Sequence, residues 1–224
     1  MNKFTFSFAG SELSALASGG LFWPAQDLLV VSDLHFGKAA RFSAVGGSAL
    51  PPYETRETLT RLEKDLSETG ARQVICLGDS FDAPGIETAL PEDDLLWISR
   101  LMAGRRWTWI AGNHDPAPLG LAGSHRSEMS VGPLVFRHIA KAGATGEVSG
   151  HYHPKARITA RGRAISRPCF LIDEARLILP AYGHFTGGLW SDSTVLCALM
   201  APEARAILTG KTLFEIPMPR RAMA

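Results

Sequence analysis

The chain has 224 residues, of which 46% are hydrophobic and 20% are charged. These proportions are those of a soluble globular protein, and the length suits one large α/β domain better than two small ones. The formal net charge of +1 excludes a strong overall field that would attract nucleic acid, which argues against a pure DNA-binding module.

Strand and helix patterns alternate in the first half, which predicts a parallel sheet. The helical segments are residues 53–69, which Gly70 ends, and residues 91–103, which begin with a proline and three acids. The predicted strands of this half are residues 3–8, 21–23, 27–31, 73–77 and 107–111. The segment 39–52 is rich in Gly, Ser, Ala and Pro, and we expect it to be a loop.

The second half consists mostly of short strand patterns, so we predict a largely antiparallel arrangement there. Its predicted strands are residues 131–138, 146–150, 156–160, 169–172, 177–179, 194–199, 205–208 and 212–216. We interpret residues 1–224 as a single domain in which the last residues, 217–224, form a frayed tail.

Cysteine usage and the apolar segments predict a cytoplasmic protein without a membrane partner. Cys76, Cys169 and Cys197 lie far apart, with no zinc-ligand or redox spacing, which indicates buried thiols in a reducing compartment. Residues 1–24 lack the uninterrupted apolar stretch of a signal peptide. No segment reaches the ~18 apolar residues of a membrane span.

Polar side chains follow three of the predicted buried strands. They are Asp33 and His35 after the first strand, Asp79 after the second, and Asn113, His114 and Asp115 after the third. Because ligands of parallel sheets gather at the carboxyl ends of strands, we expect these side chains to meet in space. The spacing of Asp33 and His35 would place both on one face of extended backbone. The second half adds His151 and His153 at the same spacing, and an isolated His138.

Carboxylate, amide and imidazole groups without thiolate suit manganese, iron, zinc or magnesium ions. A carboxylate that can bridge points to two divalent ions about 3.5–4 Å apart, the arrangement of many enzymes that cleave phosphate esters. The residues therefore predict a dinuclear metal centre for phosphoryl chemistry.

The order of these motifs over residues 33–153 resembles the calcineurin-like metallophosphoesterase superfamily: Asp-x-His, Gly-Asp, Gly-Asn-His-Asp, a later His and Gly-His-x-His. This resemblance implies a mixed α/β fold in the form of a four-layer α-β-β-α sandwich. It also implies that one metal is held by Asp33, His35 and His153, that Asp79 bridges, and that the second metal is completed by Asn113, His138 and His151.

The same resemblance assigns catalysis to His114, which would protonate the leaving oxygen or stabilise the transition state, with Asp115 orienting it. The isolated ligand is the least defined, since His125 is the only other histidine between the third and fifth motifs. A strand-like segment precedes His138, which favours His138 over His125.

A narrower likeness is carried by residues 32–41, Ser-Asp-Leu-His-Phe-Gly-Lys-Ala-Ala-Arg, and by Pro-Ala-Tyr-Gly with a following Thr-Gly-Gly in residues 180–188. These segments and the small size look like the bacterial ligase-associated DNA-damage-response endonucleases. The likeness implies a DNA substrate and partners among DNA repair proteins, such as a DNA ligase or helicase. For the two metals we expect manganese, with iron and zinc as alternatives.

Other interpretations stay open at this point. Lys38 and Arg41 lie just beyond the first ligand pair and are candidate contacts for a substrate phosphate, or else part of a solvated loop. A small-molecule phosphodiesterase or pyrophosphatase, acting on a nucleotide or a lipid-A precursor, could use the same centre. A non-catalytic scaffold would tolerate loss of the metals.

Overall fold

The apolar run Leu28–Val31 forms strand β4, and its side chains alternate between two hydrophobic cores. Leu28 and Val30 belong to one core, while Leu29 and Val31 belong to another. The strand therefore lies inside a layered fold, buried on both faces as predicted, and it begins one residue later than predicted. The computed structural model describes residues 2–44, 53–116, 120–160 and 162–220.

The first sheet contains β4 and six other strands, in the order β1-β2-β3-β4-β5-β6-β7. These strands are β1 (Lys3–Phe8), β2 (Ser11–Leu16), β3 (Leu21–Trp23), β5 (Gln73–Leu77), β6 (Arg106–Ile110) and β7 (Ser124–Arg126). Strands β1 to β4 pair antiparallel, whereas β4 to β7 pair parallel. The parallel prediction is therefore correct only for the second part of this sheet, and β2 was not predicted.

The second sheet has the order β15-β14-β12-β13-β10-β9-β8, and β11 forms a hairpin with β12. Its strands are β8 (Glu128–Val131), β9 (Leu134–Arg137), β10 (Glu147–Ser149), β11 (Lys155–Ala160), β12 (Arg163–Ile172), β13 (Arg176–Ile178), β14 (Arg205–Leu208) and β15 (Phe214–Pro217). Strands β9, β10 and β13 pair parallel, and the other pairs are antiparallel. The antiparallel prediction is thus wrong at the centre of this sheet.

The helices lie on the outer faces of the two sheets and complete four layers, α-β-β-α. They are α1 (Lys38–Ala44), α2 (Glu54–Thr69), α3 (Glu92–Met102) and α4 (Thr194–Leu199). Leucines of α2 and α3 pack on the outer face of the first sheet, and Leu196 of α4 packs on that of the second. A shared core fills the space between the sheets. The predicted mixed α/β sandwich is confirmed.

Two predicted elements are wrong. Residues 194–199 form the helix α4 instead of a strand, because Ser193 caps it by accepting the Leu196 N–H at 3.4 Å. Part of the predicted loop 39–52 is helical, since α1 contains the good helix formers lysine, alanine and arginine. The remainder of that segment, residues 45–52, lies outside the described residues.

The C-terminal segment does not fray where the structure describes it. Pro217 ends β15, and the buried Met218 donates its N–H to the Ala204 carbonyl. The Arg220 guanidinium donates to carbonyl oxygens of Cys197, Met200 and Ala201. These contacts satisfy carbonyl groups at the C-terminal end of α4. Residues 221–224 lie outside the described part. Among the described residues, no helix is long and apolar enough to cross a membrane.

The packing of α2 on the first sheet predicts a difference between two leucines that both lie in helices. Leu59→Ala removes a fully buried side chain and should lower the free energy of unfolding by about 2–5 kcal/mol. Leu96→Ala on α3 shortens a side chain that is 59% exposed, and the free energy of unfolding should change by no more than about 0.5 kcal/mol. Urea unfolding of both variants measures this, and equal losses would contradict the layer assignment.

Candidate metal centre

The loops that follow β4 and β5 continue to bond to each other beyond the end of the regular sheet. Asp33 donates its N–H to the Gly78 carbonyl at 3.2 Å, and His35 donates to the Asp79 carbonyl at 2.9 Å. An isolated parallel bridge then pairs Phe36 with Phe81. These bonds fix the first and second predicted ligand motifs side by side.

The ligand loops have an unusual backbone conformation. Among the described residues other than glycine, eight have a positive φ, and five of these are Asp33, His35, Asp79, His151 and His153. Left-handed backbone is uncommon outside glycine and concentrates at functional sites. The expectation that Asp33 and His35 lie on extended backbone is therefore wrong, since their φ angles are 54° and 48°. Their side chains nevertheless converge.

A first cluster of donor atoms is formed by Asp33, His35 and His153, whose ligand atoms lie within 4.8 Å of one another. His153 Nε2 lies 3.0 Å from Asp33 Oδ1. Asp33 and His35 are almost fully buried.

A second cluster consists of Asp79, His138 and His151. His138 Nε2 lies 3.4 Å from Asp79 Oδ2, 3.2 Å from His151 Nδ1 and 3.0 Å from Asn113 Oδ1. His138 Nδ1 donates to the Leu77 carbonyl at 2.7 Å, which leaves Nε2 as the atom able to bind a cation. The amide oxygen of Asn113 completes this group.

The two clusters adjoin each other across the two sheets. His151 follows β10 of the second sheet, and its N–H donates to Asp33 Oδ2 at 3.0 Å. His138 Nδ1 lies 3.9 Å from Asp33 Oδ1. His125 lies elsewhere, on β7, with Nε2 3.4 Å from the Leu121 carbonyl.

Within the described part of the chain, several buried donor atoms in and next to the first cluster have no hydrogen-bond partner. They are both ring nitrogens of His35, His153 Nε2 and Asp82 Oδ1. His35 Nδ1 lies 2.8 Å from Asp82 Oδ1, yet the pair lacks the angles of a hydrogen bond. Buried polar atoms without partners are rare and require an explanation. One carboxylate and two imidazoles, those of Asp33, His35 and His153, have ligand atoms within 4.8 Å of one another, and donors of these types fit a divalent ion.

His114 lies beside the first cluster. Its ring nitrogen Nδ1 donates to the Asp82 carbonyl at 2.8 Å, and its ring meets the His35 ring edge-on at 5.0 Å between centroids. The backbone N–H of His114 donates to Asp79 Oδ1 at 2.8 Å. The carbonyl bond leaves Nε2 as the atom that can exchange a proton with a bound molecule.

Asp115 does not orient the His114 side chain as predicted. Its carboxylate accepts the backbone N–H groups of Asp79, Ser80, Phe81 and Gly112 at 2.8–3.2 Å. Asp115 therefore holds the second and third ligand loops together, and the backbone of Asp82 orients His114. Burial raises the pKa of Asp115, although the backbone N–H groups oppose the increase.

Asp82 is the functional residue that the sequence reasoning missed. Its buried carboxylate lies 2.8 Å from His35 Nδ1, 3.7 Å from Lys38 Nζ and 2.5 Å from Arg41 Nε. Its position three residues after Asp79, in the same loop, was the available signal. Asp82 places the two predicted phosphate contacts, Lys38 and Arg41, next to the first cluster.

Comparison with known proteins agrees with this geometry. Residues 27–193 match the model of the calcineurin-like phosphoesterase family. The chain belongs to this family. It is a metallophosphoesterase, a metal-dependent hydrolase. None of the curated proteins matches it.

A solved structure is similar over nearly the whole metallophosphoesterase chain. The crystal structure of Pseudomonas putida nuclease MPE matches with a TM-score of 0.73 and 30% sequence identity. The match covers 96% of this chain and 100% of that one.

Charge interactions inside the metallophosphoesterase centre shift the pKa values of its acids. Burial alone would raise the pKa of Asp33 and of Asp79. The nearby His153 and His138 outweigh burial at Asp33, and His138 with His114 outweighs it at Asp79, so both pKa values fall. Both acids are therefore carboxylates at neutral pH, the form that binds a metal.

The pKa values of the two histidines in the second cluster shift in opposite directions. Burial opposes the charged form of His138, but the Asp79 and Asp33 carboxylates raise its pKa. Burial and the charge of His138 lower the pKa of His151.

Gly150 allows the close approach of the two sheets at the centre and generates a prediction. A methyl group at this position would collide with Ser32 Oγ and lie 2.6 Å from Asp33 Oδ2. Gly150→Ala should therefore displace Asp33 and lower manganese affinity by about 10- to 100-fold, as expected for groups that orient metal ligands. Isothermal titration calorimetry measures the affinity.

Gly120→Ala is the matched control, since an added methyl group there meets no described residue within 4 Å apart from its chain neighbours. This variant should bind manganese like the unmodified chain. Equal manganese affinity in Gly150→Ala and Gly120→Ala would contradict the assigned position of Asp33.

Proposed function

We propose that this metallophosphoesterase hydrolyses phosphodiester bonds of DNA at a centre with two divalent ions. The observation that carries the proposal is the pair of adjoining donor clusters, with His114 beside them. The 30% identity to a bacterial nuclease over 96% of the chain supports DNA as the substrate.

The ligand assignment follows the clusters. Asp33, His35 and His153 would hold the first ion, and Asn113, His138 and His151 the second. Asp79 would bridge, because its Oδ2 faces His138 while the Asp79 loop is bonded to the loop of Asp33 and His35. Oxygen and imidazole donors suit manganese, the ion we expect, and also iron or zinc.

When bound, the two ions would activate a water molecule as the nucleophile and offset charge on the phosphate oxygens. Hydrolysis adds water to phosphorus and breaks its bond to the leaving oxygen, which needs a proton. We assign this proton to His114 Nε2, since Nδ1 is held by the Asp82 carbonyl. Lys38 and Arg41, kept in place by Asp82, would offset further negative charge of the substrate.

The narrower resemblance in residues 32–41 motivates a role in DNA repair. Partners such as a DNA ligase or helicase stay a prediction of that resemblance.

Asp79→Ala and His114→Ala should separate metal binding from catalysis. Asp79→Ala should lose both bound metal and hydrolysis of a chromogenic phosphodiester or single-stranded DNA. His114→Ala should retain metal, while kcat falls about 10²- to 10⁴-fold because the leaving oxygen lacks its proton donor. Metal content and initial rates with added manganese measure both effects.

His138→Ala and His125→Ala form a matched pair, because only His138 lies in a donor cluster. His138→Ala should lose metal, whereas His125→Ala should keep metal and activity. For the earlier pair of variants, full activity of Asp79→Ala would contradict the assignment of Asp79 as a metal ligand. Hydrolysis of small diesters or nucleotides without cutting of any DNA form would favour a small-molecule enzyme. Bound metal without any hydrolysis would favour a scaffold.

A further inference from the structure

A cavity of about 540 Å³ lies next to the metal centre, on the side of the segment that follows β13. Gly183 lines it and donates its N–H to the carbonyl of the ligand Asp33 at 3.0 Å. Lys155, two residues after the ligand His153, lines it as well. The cavity therefore borders the segments that carry two of the proposed metal ligands, Asp33 and His153.

The charge of this cavity has one sign. Arg61, Lys155 and Arg167 contribute three positive charges, and no aspartate or glutamate occurs among the described residues that line it. The lining also includes His184, whose pKa is lowered by burial and by Arg61, so that this ring is neutral at pH 7. A cavity whose described charged lining is cationic favours anions, although the whole chain carries a net charge of only +1.

Arg61 is held in position by a buried network. Its NH1 donates to the Tyr182 carbonyl at 2.6 Å, and its guanidinium lies 5.4 Å from the centroid of the Tyr182 ring. The hydroxyl of the fully buried Tyr182 donates to Asp65 at 2.8 Å, and Ser18 donates to the same oxygen. The arginine is thus fixed before any ligand arrives, which reduces the entropy lost on binding.

The aromatic residue Phe185 is part of the lining of the same cavity. Phe185 is 48% exposed and has a φ of 53°, which is uncommon for a bulky residue. Lys155 Nζ and the Thr186 carbonyl, in the residue after Phe185, are joined by a hydrogen bond of 3.2 Å. Lys155 and Phe185 therefore lie on the same wall of the cavity, and the bond to the Thr186 carbonyl holds the lysine near the aromatic residue.

We propose that this cavity binds the single-stranded part of the DNA substrate next to the scissile phosphate. Arg61, Lys155 and Arg167 contact the sugar–phosphate backbone, and a base stacks on Phe185. Aromatic rings interleaved with cations are the usual device for binding single strands without sequence preference. This proposal rests on the proposed function, because it assumes that the strand bound in the cavity is cut at the metal centre.

An adjoining cavity continues past Arg61 and contains both signs of charge, with Lys64 and Lys211 beside Asp65 and Glu68. It shares Arg61 with the first cavity, but its mixed charge gives no preference for an anion. The strand site is therefore limited to the cavity that contains Phe185.

Phe185→Ala and Arg167→Glu test the site in the full-length chain with manganese. The ratio of kcat/KM for an oligothymidylate to kcat/KM for a chromogenic small diester should fall about tenfold or more in each variant. Such a loss is expected from one stacked base or one reversed charge. Arg72→Glu is the matched control, since Arg72 is exposed and lies at the opposite end of the first sheet, before β5.

Binding is measured separately by fluorescence anisotropy, in the His114→Ala background where the strand stays intact. The Kd for the oligothymidylate should rise about tenfold in both variants. With Arg167→Glu, the slope of log K against log salt should also become shallower by about 0.7. Thermal unfolding confirms that each variant is folded.

Ratios and Kd values equal to those of Arg72→Glu would overturn the proposal. A loss with Arg167→Glu alone would also overturn it, since the cavity would then bind a phosphate without a stacked base. If the unmodified chain hydrolyses no phosphodiester, the proposed function fails, while the anisotropy measurements still decide whether the cavity binds a strand.

Discussion

Backbone hydrogen bonds between the ligand loops are the interactions on which the site depends. The bonds from Asp33 and His35 to the loop after β5 extend the pairing of β4 and β5 past the regular strands. Asp115, in the third loop, then binds the second loop through three backbone N–H groups, those of Asp79, Ser80 and Phe81. Because these groups would otherwise be buried without partners, their pairing fixes the loops in spite of the positive φ angles.

The second sheet completes the site through its parallel centre. Strands β9 and β10 run side by side, so the loops that carry His138 and His151 leave at the same edge. The hydrogen bond from the His151 N–H to the Asp33 carboxylate joins this edge to the corresponding edge of the first sheet. Two sheets with carboxyl ends facing one crevice therefore both contribute residues to each donor cluster, and a phosphate ester bound in this crevice would lie between them.

Asp82 connects metal binding with catalysis and with the substrate side of the site. Its carboxylate contacts His35 and two cations, and its carbonyl accepts a hydrogen bond from His114. A single loop residue thus influences a metal ligand, the proposed acid and the proposed phosphate contacts. Beyond this group the electrostatic character changes, since the cavity at Phe185 has cations without acids among its described lining. The carboxylates of the centre would hold the metal ions, while the proposed strand site lies on the adjoining cationic surface.

The sequence alone was enough to predict the candidate ligands and the order in which they follow buried strands. Period and spacing carry that information, because side chains alternate along a strand and loops follow strand ends. Only the three-dimensional contacts show that His138, not His125, lies beside Asp79, and that the Asp82 carbonyl orients His114. They also show that the middle of the second sheet is parallel. These outcomes depend on contacts between residues far apart in the chain, such as His151 and Asp33 at a separation of 118, which no local pattern encodes.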